Sequence, residues 1–516
     1  MQTPTPGGAP EGRSSGRSSG LSSGVCTGVR SAIPTLTAVA VALASSVVLA
    51  LAGCASSAGI EPSAHIQSPA GLGAAVAVGA SITPALAADW WRAFGDGALN
   101  ELIERSLADN PGLKVVQARL ARAEAAAGVA RANAGPQLNG SLDVSRQRFS
   151  GNSIYPPPLG GSIRTLGTAQ VSGSWEIDFF GRNRAAIEAA LGTQRAARAD
   201  ADAARVLLAS NVAHSYVQLA RLVEQRDVAQ RSLRQRGAVL TLITQRVQGG
   251  LDTTVEQRQG EGALPESRQQ IEALDEQITL TRHALAALSA QAPDALDGLS
   301  PHLASVQGVP LPAAVPADLL GRRADVAAAR WRVQAASSDV QSARAQFYPN
   351  INLAAFIGLA SIGLDQLVKS GSDQYGAGPA LRLPIFDSGR LRANLRGKTA
   401  EVDAAIESYN GAVTDAVHDV ADQIASLRSV ERQQAEQVRA QAAAESAYDL
   451  STQRYKAGLG NYLTVLNAEA AVLNHRRLAV DLRARWLDSQ IALARALGGG
   501  YAADTDPQTR LAHAAQ

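Results

Sequence analysis

Apolar and polar residues alternate one by one in four short stretches of this chain. Leu138, Gly140, Leu142 and Val144 point one way, while Gln137, Asn139, Ser141, Asp143 and Ser145 point the other. Ala169, Val171, Gly173 and Trp175 alternate likewise with Gln170, Ser172, Ser174 and Glu176. Ile351, Leu353, Ala355 and Ile357 make a third one-sided run, and Ala377, Pro379, Leu381 and Leu383 a fourth. A period of two marks a strand with one apolar face. Each run spans about 9 to 11 residues, the length with which a tilted strand crosses a bilayer. A soluble sheet with one buried face would share the alternation. Here, however, the second face is strongly polar, as the wall of a water-filled lumen is. Four strands cannot close a membrane barrel, and an open edge in lipid is not tolerated. The strands must therefore join those of other copies. Pro379 and Pro384 weaken the fourth strand, because proline donates nothing to a ladder.

The other periodic segments are helical. Leu99, Leu102, Ile103 and Leu107 step along one face, and Asn110-Pro111 then starts a second helix that runs to about Ala134. Pro136 ends it, as Pro349 ends the helix before the third strand. Between Arg182 and Gln248 there is no proline, which predicts roughly 100 Å of continuous helix from about 65 residues. Leu208, Val212, Leu219 and Val223 form an apolar seam of the coiled-coil kind, and Val413, Val417, Val420, Ile424 and Leu427 form another. Gly249-Gly250 and Gly458 are the turns at which the chain doubles back. Gly260, Gly262 and Pro265 predict a kink in the first return helix.

These elements occur twice. Trp175-Glu176-Ile177-Asp178-Phe179-Phe180-Gly181-Arg182 opens a long helix that stops at Gly249-Gly250-Leu251. Leu383-Pro384-Ile385-Phe386-Asp387-Ser388-Gly389-Arg390 opens a second that stops at Gly458-Leu459. The offset is constant at 208 residues (389 − 181 and 458 − 250). The expected organisation is mainly α with a membrane β contribution. Repeat 1 covers 89–300, a Pro-rich linker 301–316, repeat 2 317–498 and a disordered tail 499–516.

The N-terminal part differs in character. Ile33 to Leu51 is an almost uncharged apolar run that follows Arg30 and ends in Leu51-Ala52-Gly53-Cys54. A basic region, an apolar core and small residues describe a secretory signal, here 1–53. A single transmembrane helix is the alternative for a run of this length. Leu-Ala-Gly-Cys resembles the bacterial lipobox, in which the cysteine is lipidated and becomes the mature N-terminus. Cys26 and Cys54 are the two cysteines of the chain, so cleavage before Cys54 leaves one, already lipidated, and no disulfide. Ala55 in place of aspartate points, by family analogy, to the outer membrane. Residues 54–88, rich in small residues and without period, read as a tether.

Composition narrows the function. Lys and Arg total 48 against 46 Asp and Glu, which gives no electrostatic case for nucleic acid. Gly397-Lys398-Thr399 lacks the leading glycine of a phosphate loop, since Arg392 stands there. No His or Cys spacing suits a metal, no Gly-x-Ser-x-Gly nucleophile elbow occurs after the signal segment 1–53, and no cofactor is implied. An enzyme is not expected.

Four motifs carry a resemblance over essentially the whole mature chain. They are Ser174 to Arg182, the Phe386-Asp387-Ser388-Gly389 turn, Tyr348-Pro349-Asn350-Ile351, and Gly458-Leu459-Gly460-Asn461-Tyr462-Leu463-Thr464-Val465-Leu466-Asn467. Together they resemble the outer-membrane factor family of TolC and OprM, in its lipoprotein branch. The resemblance implies a homotrimer with a 12-stranded barrel and an α-helical periplasmic tunnel. It further implies a passive exit duct for drugs and other small molecules, joined by a periplasmic adaptor to an inner-membrane transporter. A protein-secretion or metal-efflux duct and a non-conducting envelope lipoprotein are the alternatives. By the same resemblance Thr464 and Asn467 occupy gate positions where relatives carry aspartate, so a cation-binding carboxylate ring would be missing; Glu469 and Asp449 are candidates to compensate. Gly250, Leu251, Gly458 and Leu459 are the expected adaptor-contact tips.

Overall fold

The computed structural model describes residues 56–67, 86–309 and 322–501. The signal segment with Cys54, residues 68–85, the linker residues 310–321 and the tail beyond Tyr501 lie outside the described residues. A short 3-10 turn at Trp90–Phe94 leads into α1 (Gly97–Asp109) and α2 (Pro111–Asn133). Asp96 caps α1 by accepting from the amides of Ala98 and Leu99, and Asn110 caps α2 from the amide of Leu113. Then come β1 (Gln137–Arg148), β2 (Ile163–Ile177), α3 (Arg182–Gln248) and α4 (Thr254–Leu288). The second repeat supplies α5 (Ala324–Ala345), β3 (Asn350–Ile362), β4 (Asp373–Arg382), α6 (Arg390–Lys456) and α7 (Tyr462–Ala496).

The repeat is structural to the residue. α3 and α6 each have 67 residues, and α4 and α7 each have 35. Gly181 and Gly389 take the left-handed conformation (φ 76° and 84°) at the strand-to-helix corner of each repeat, where a side chain would be strained. α4 continues through Pro265. No helix among the described residues is long and apolar enough to cross a membrane.

The largest apolar core forms where α1 and the preceding turn pack on the middle of α3, with α4 and α7 closing around it. Phe94, Leu99, Ile103, Tyr216, Leu219 and Leu285 are fully buried there. The seam residues Leu208, Val212, Leu219 and Val223 are all buried, as are Val413 and Val420 of the second repeat. Asp96 ties this core together, accepting from Tyr216 Oη at 2.8 Å and Ser305 Oγ at 2.7 Å. Burial, then the neighbouring Asp96, pushes the Tyr216 phenol well above its usual range. Gly192 lets α3 and α5 approach closely, since a Cβ there would stand 2.9 Å from that of Ala335.

The small-residue segment expected to be a tether is laid, over 56–67, along α5 and α6. Ile60 is buried among Val340, Ala343, Leu395, Val402 and Ile406. Asp403 accepts from the amides of Ser63 at 2.8 Å and Ala64 at 2.9 Å, and these donors hold its carboxyl below the usual range. The Asn410 side chain accepts from the amide of Gln67 and donates to the carbonyl of His65. Arg392 donates to the carbonyl of Ser56. The segment thus begins at the first turn of α6, beside the end of β4, and runs away from the sheet.

Candidate functional site: the two-faced sheet and the helix tips

The four strands form one antiparallel sheet in the order β1-β2-β3-β4, so strands of both repeats meet at β2–β3. The register brings the four predicted apolar faces onto one side. Leu142 pairs with Ala169, Ala169 with Leu359 and Leu359 with Asp373; Leu138 pairs with Gly173, Gly173 with Ala355 and Ala355 with Ala377. Directly paired residues share a face. The apolar side therefore carries Leu138, Leu142, Val144, Val171, Trp175, Leu353, Ile357 and Leu381, all exposed in the single chain. The opposite side carries Asn139, Ser141, Asp143, Gln170, Ser172, Ser174 and Asn352, which can line water. On this side Phe356 covers the ring-sized gap at Gly376, where a Cβ would stand 2.8 Å from the ring.

Both rims of the sheet are aromatic. At the helix end, Trp175, Phe179, Phe180, Tyr348 and Phe386 are exposed, with Phe180 stacked on Tyr348 at 4.9 Å. At the other end lie Tyr155, packed edge-on against Phe149, and Tyr375. Amphipathic rings at two levels, separated by an apolar band, fit the two interfaces of a bilayer. β1 and β4 are edge strands without a partner within the described chain. Pro379 sits inside β4, where an edge tolerates it, and Pro384 lies beyond the ladder.

The far ends of the long helices meet in a second polar cluster. Gly250 (φ 70°) and Gly458 (φ 76°) turn the chain left-handed, and the amides of Leu251 and Leu459 reach back to the carbonyls of Arg246 and Arg454 at 2.8 Å. This leaves the Leu251 and Leu459 side chains projecting, 68% and 71% exposed. Thr253 and Glu256 form a capping box on α4, and Asn461 caps α7.

Between these turns lies a latch that sequence reasoning missed. Arg246 Nε donates to Asp252 at 2.8 Å, and its second arm donates to the other carboxylate oxygen at 3.2 Å. Its remaining amino group reaches the carbonyl of Tyr455 at 3.0 Å, and its plane lies 4.6 Å from the Tyr455 ring. The Tyr455 hydroxyl donates to the same Asp252 carboxylate. The pair is largely shielded, with 11% of each side chain exposed. Burial alone would raise the Asp252 carboxyl; the hydrogen bonds from Arg246 and Tyr455 outweigh it and hold the group below its ordinary 3.8. Burial, reinforced by Asp252, pushes the Tyr455 phenol up. Repeat 1 supplies Arg246 and Asp252 and repeat 2 supplies Tyr455, so the latch fastens one hairpin tip to the other.

Thr464 and Asn467 are exposed on α7, close behind the tip. The Thr464 hydroxyl is bonded to Asn461 in the helix cap. Glu469 does not join them. It is buried between helices, paired with Arg236 at 3.1 Å and near Ser232 at 3.5 Å, so its carboxylate is not presented beside Thr464 and Asn467. Asp449 remains exposed on α6. Lys398 of the apparent phosphate loop is held by Glu401 at 2.8 Å, and Thr399 is buried on its own helix. No cluster that could hold a metal occurs among the described residues.

A family model described as "Outer membrane efflux protein" matches residues 102–291 and 315–499. The putative multidrug resistance outer membrane protein MdtQ of Escherichia coli is 33% identical over 420 residues, 80% of this chain and 88% of that protein. The pyoverdine export outer membrane protein OpmQ of Pseudomonas aeruginosa is 33% identical over 419 residues, with the same shares. Among solved structures, the outer membrane protein VceC of Vibrio cholerae superposes with a TM-score of 0.77 at 35% identity, covering 81% of this chain and all of that one.

Proposed function

The chain belongs to the outer membrane efflux protein family and is an outer-membrane duct of an efflux pump; we propose that it works as a lipid-anchored homotrimer that passively conducts drugs and other small molecules from an inner-membrane transporter and a periplasmic adaptor to the outside. The observation that carries the trimer is the sheet. It has one apolar face, one polar face and two unpartnered edges, which lipid forbids unless other copies close it. Three copies give 12 strands, within the range of known membrane barrels. The names of MdtQ and OpmQ speak for small-molecule cargo.

Cys54 is the proposed lipid anchor. Its support is the docked segment: Ser56, two residues further on, is held at the first turn of α6, at the level of the aromatic rim. The exposed tips Gly250-Leu251 and Gly458-Leu459 are the proposed adaptor contacts. In this reading the Arg246–Asp252–Tyr455 latch holds the tips closed until the adaptor engages, and Thr464 and Asn467 line a constriction without a carboxylate ring.

The test is a photoreactive residue at Leu459 in living cells, followed by identification of what it captures. A periplasmic adaptor is the expected catch. Recovery of this protein or peptidoglycan-associated partners alone would refute the adaptor contact and favour a structural envelope role.

A further inference from the structure

The lumen side of the sheet is unevenly polar. Over β1 it carries Asn139, Ser141, Asp143, Ser145 and Gln147, and over β2 Thr168, Gln170, Ser172 and Ser174. Over β3 the same side carries Ala354, Phe356, Gly358, Ala360 and Ile362, a run without a polar side chain. Over β4 it carries Gly376, Gly378 and Ala380 between Gln374 and Arg382. Water-filled barrels are polar inside, so an apolar sector in the wall calls for an occupant. We propose that Phe356 and the small residues around it form a contact site for the aromatic part of an amphiphilic cargo molecule. This rests on the duct reading above and names the cargo chemistry that its wall favours.

The register sets the borders of this sector. Phe356 pairs with Ser172 on one side and Gly376 on the other. Its ring lies over Gly376, and the next lumen position, Gly378, has open space around it. One step toward the outer mouth, Gly358 lies so close to β2 that a Cβ there would stand 2.6 Å from that of Gln170. With no side chain at this position, Gln374 of β4 reaches across β3 and donates to Gln170 of β2 at 3.3 Å. This amide bridge bounds the sector on the mouth side. Asn352, paired with Glu176 and Ala380, bounds it on the helix side. The result is an aromatic floor between two polar borders, the mixture that sites for small apolar ligands use.

A ring laid over a glycine of an edge strand also protects the backbone there, and that accounts for one face of Phe356. It does not account for the other. Phe356 keeps 41% of its surface exposed, and a leucine would cover Gly376 as well. In the trimeric reading the exposed face looks into the shared water of the lumen, so three rings and three polar sectors alternate around the wall.

The contact is weak by necessity, because a duct that held its cargo tightly would not release it. An aromatic pair adds a factor of roughly 2 to 12 in affinity beyond simple burial of area. That is enough to prefer a ring-bearing molecule over an aliphatic one of equal charge and too little to trap it.

Full-chain trimers in planar bilayers test this with two permanently charged probes, benzyltriethylammonium and tetraethylammonium, which differ by a phenyl ring in place of a methyl group. Their charge is the same, so Asp143 acts on both alike. In the wild type the ring-bearing probe should interrupt the ionic current with about 5-fold higher apparent affinity. Phe356→Leu keeps an apolar cover on Gly376 and should remove most of that advantage, whereas Phe356→Tyr keeps the ring and should retain it. Where Phe356→Leu gives no trimer, Phe356→Met takes its place. Tyr375→Leu alters an aromatic residue on the lipid side of the next strand and should leave the advantage intact. Equal block by the two probes in the wild type, an advantage that survives Phe356→Leu, or one that disappears in Tyr375→Leu overturns the proposal while the duct reading stands. Trimers that pass no current even with the tip latch opened by Asp252→Ala overturn the duct reading itself.

Discussion

Opening the Arg246–Asp252–Tyr455 latch should open the tip of the duct. Tyr455→Phe is the smallest perturbation, because it removes the hydroxyl donated to Asp252 and keeps the ring 4.6 Å from the Arg246 guanidinium. A hydrogen bond to a charged group contributes about 1.5–3 kcal/mol. Arg246 still grips both oxygens of Asp252, so the low end applies, and about 1.5 kcal/mol raises the opening constant roughly 10-fold. Asp252→Ala goes further. It leaves Arg246, 11% exposed, without its carboxylate. Breaking a buried pair costs about 3–5 kcal/mol, and a pair this near the helix end takes the lower value, on the order of 100-fold in opening.

Single-channel conductance in planar bilayers measures the effect. The expected order is wild type, then Tyr455→Phe, then Asp252→Ala, with open dwell time increasing along the series. pH gives an independent check. The Asp252 carboxyl sits below its ordinary 3.8 in the folded protein, so its contribution is fully present above that value and is lost as pH falls through the lower one. Conductance should be flat between about pH 5 and pH 8 and rise only below about pH 4. An Asp252→Ala protein with wild-type conductance and a lowered dissociation temperature would refute the gating role and leave the latch a structural staple.

Three further outcomes follow from the geometry. Asp96→Ala removes the cap of α1 and leaves the buried Tyr216 hydroxyl without its acceptor, which should destabilise the chain by about 2–4 kcal/mol in denaturant titration; Asp96→Asn, which keeps the cap, should lose less than half of that. Gly192→Leu drives a side chain into Ala335 and should lower stability by about 1–3 kcal/mol or more, whereas the same change at Gly237, which has open space around it, should have little effect. The wild-type channel should resist block by a trivalent cation at low micromolar concentration, and Thr464→Asp with Asn467→Asp should confer block; sensitivity in the wild type would show that carboxylates elsewhere line the constriction.

The sequence displays its periodic parts well, and physics explains why. A strand with oil on one face and water on the other must alternate, so all four strands and the side each residue takes were readable before any register was known. α3 and its copy α6 were equally plain, because proline is absent and glycine stands at each end. Features made by contacts between distant segments were not readable. The latch joins residues 246, 252 and 455, and no local pattern announces it, although Tyr455 stands where the first repeat has Val247 and Asp252 where the second has Gly460. Glu469 was misjudged for an avoidable reason. Val465, Glu469 and Val472 step by four and three along the buried seam of α7, so the period itself put the carboxylate inside. Segment 56–67 offered no period at all, and of its two isoleucines only Ile60 is buried while Ile66 stays exposed, a difference that no local pattern announces.

The divergence between the repeats is where function can enter. Two identical hairpins would place the same residues at both tips, and a contact between the tips would then be a contact between like groups. Arg246 and Arg454 are such a matched pair, and two guanidiniums cannot fasten to one another. The first repeat gains an acceptor at Asp252, and the second gives up the matching position to Gly460 while gaining a ring and hydroxyl at Tyr455. The result is one acceptor, one cation and one aromatic donor, all satisfied within a single copy. The sheet shows the opposite arrangement. There the pairing groups at the two edges are left over within one copy and need a neighbour. In the proposed trimer, a tip completed within each copy and a barrel completed between copies would let the tip loosen one copy at a time while the membrane seam stays shut. On that arrangement, Asp252→Ala should change conductance without lowering the temperature at which the trimer dissociates in detergent.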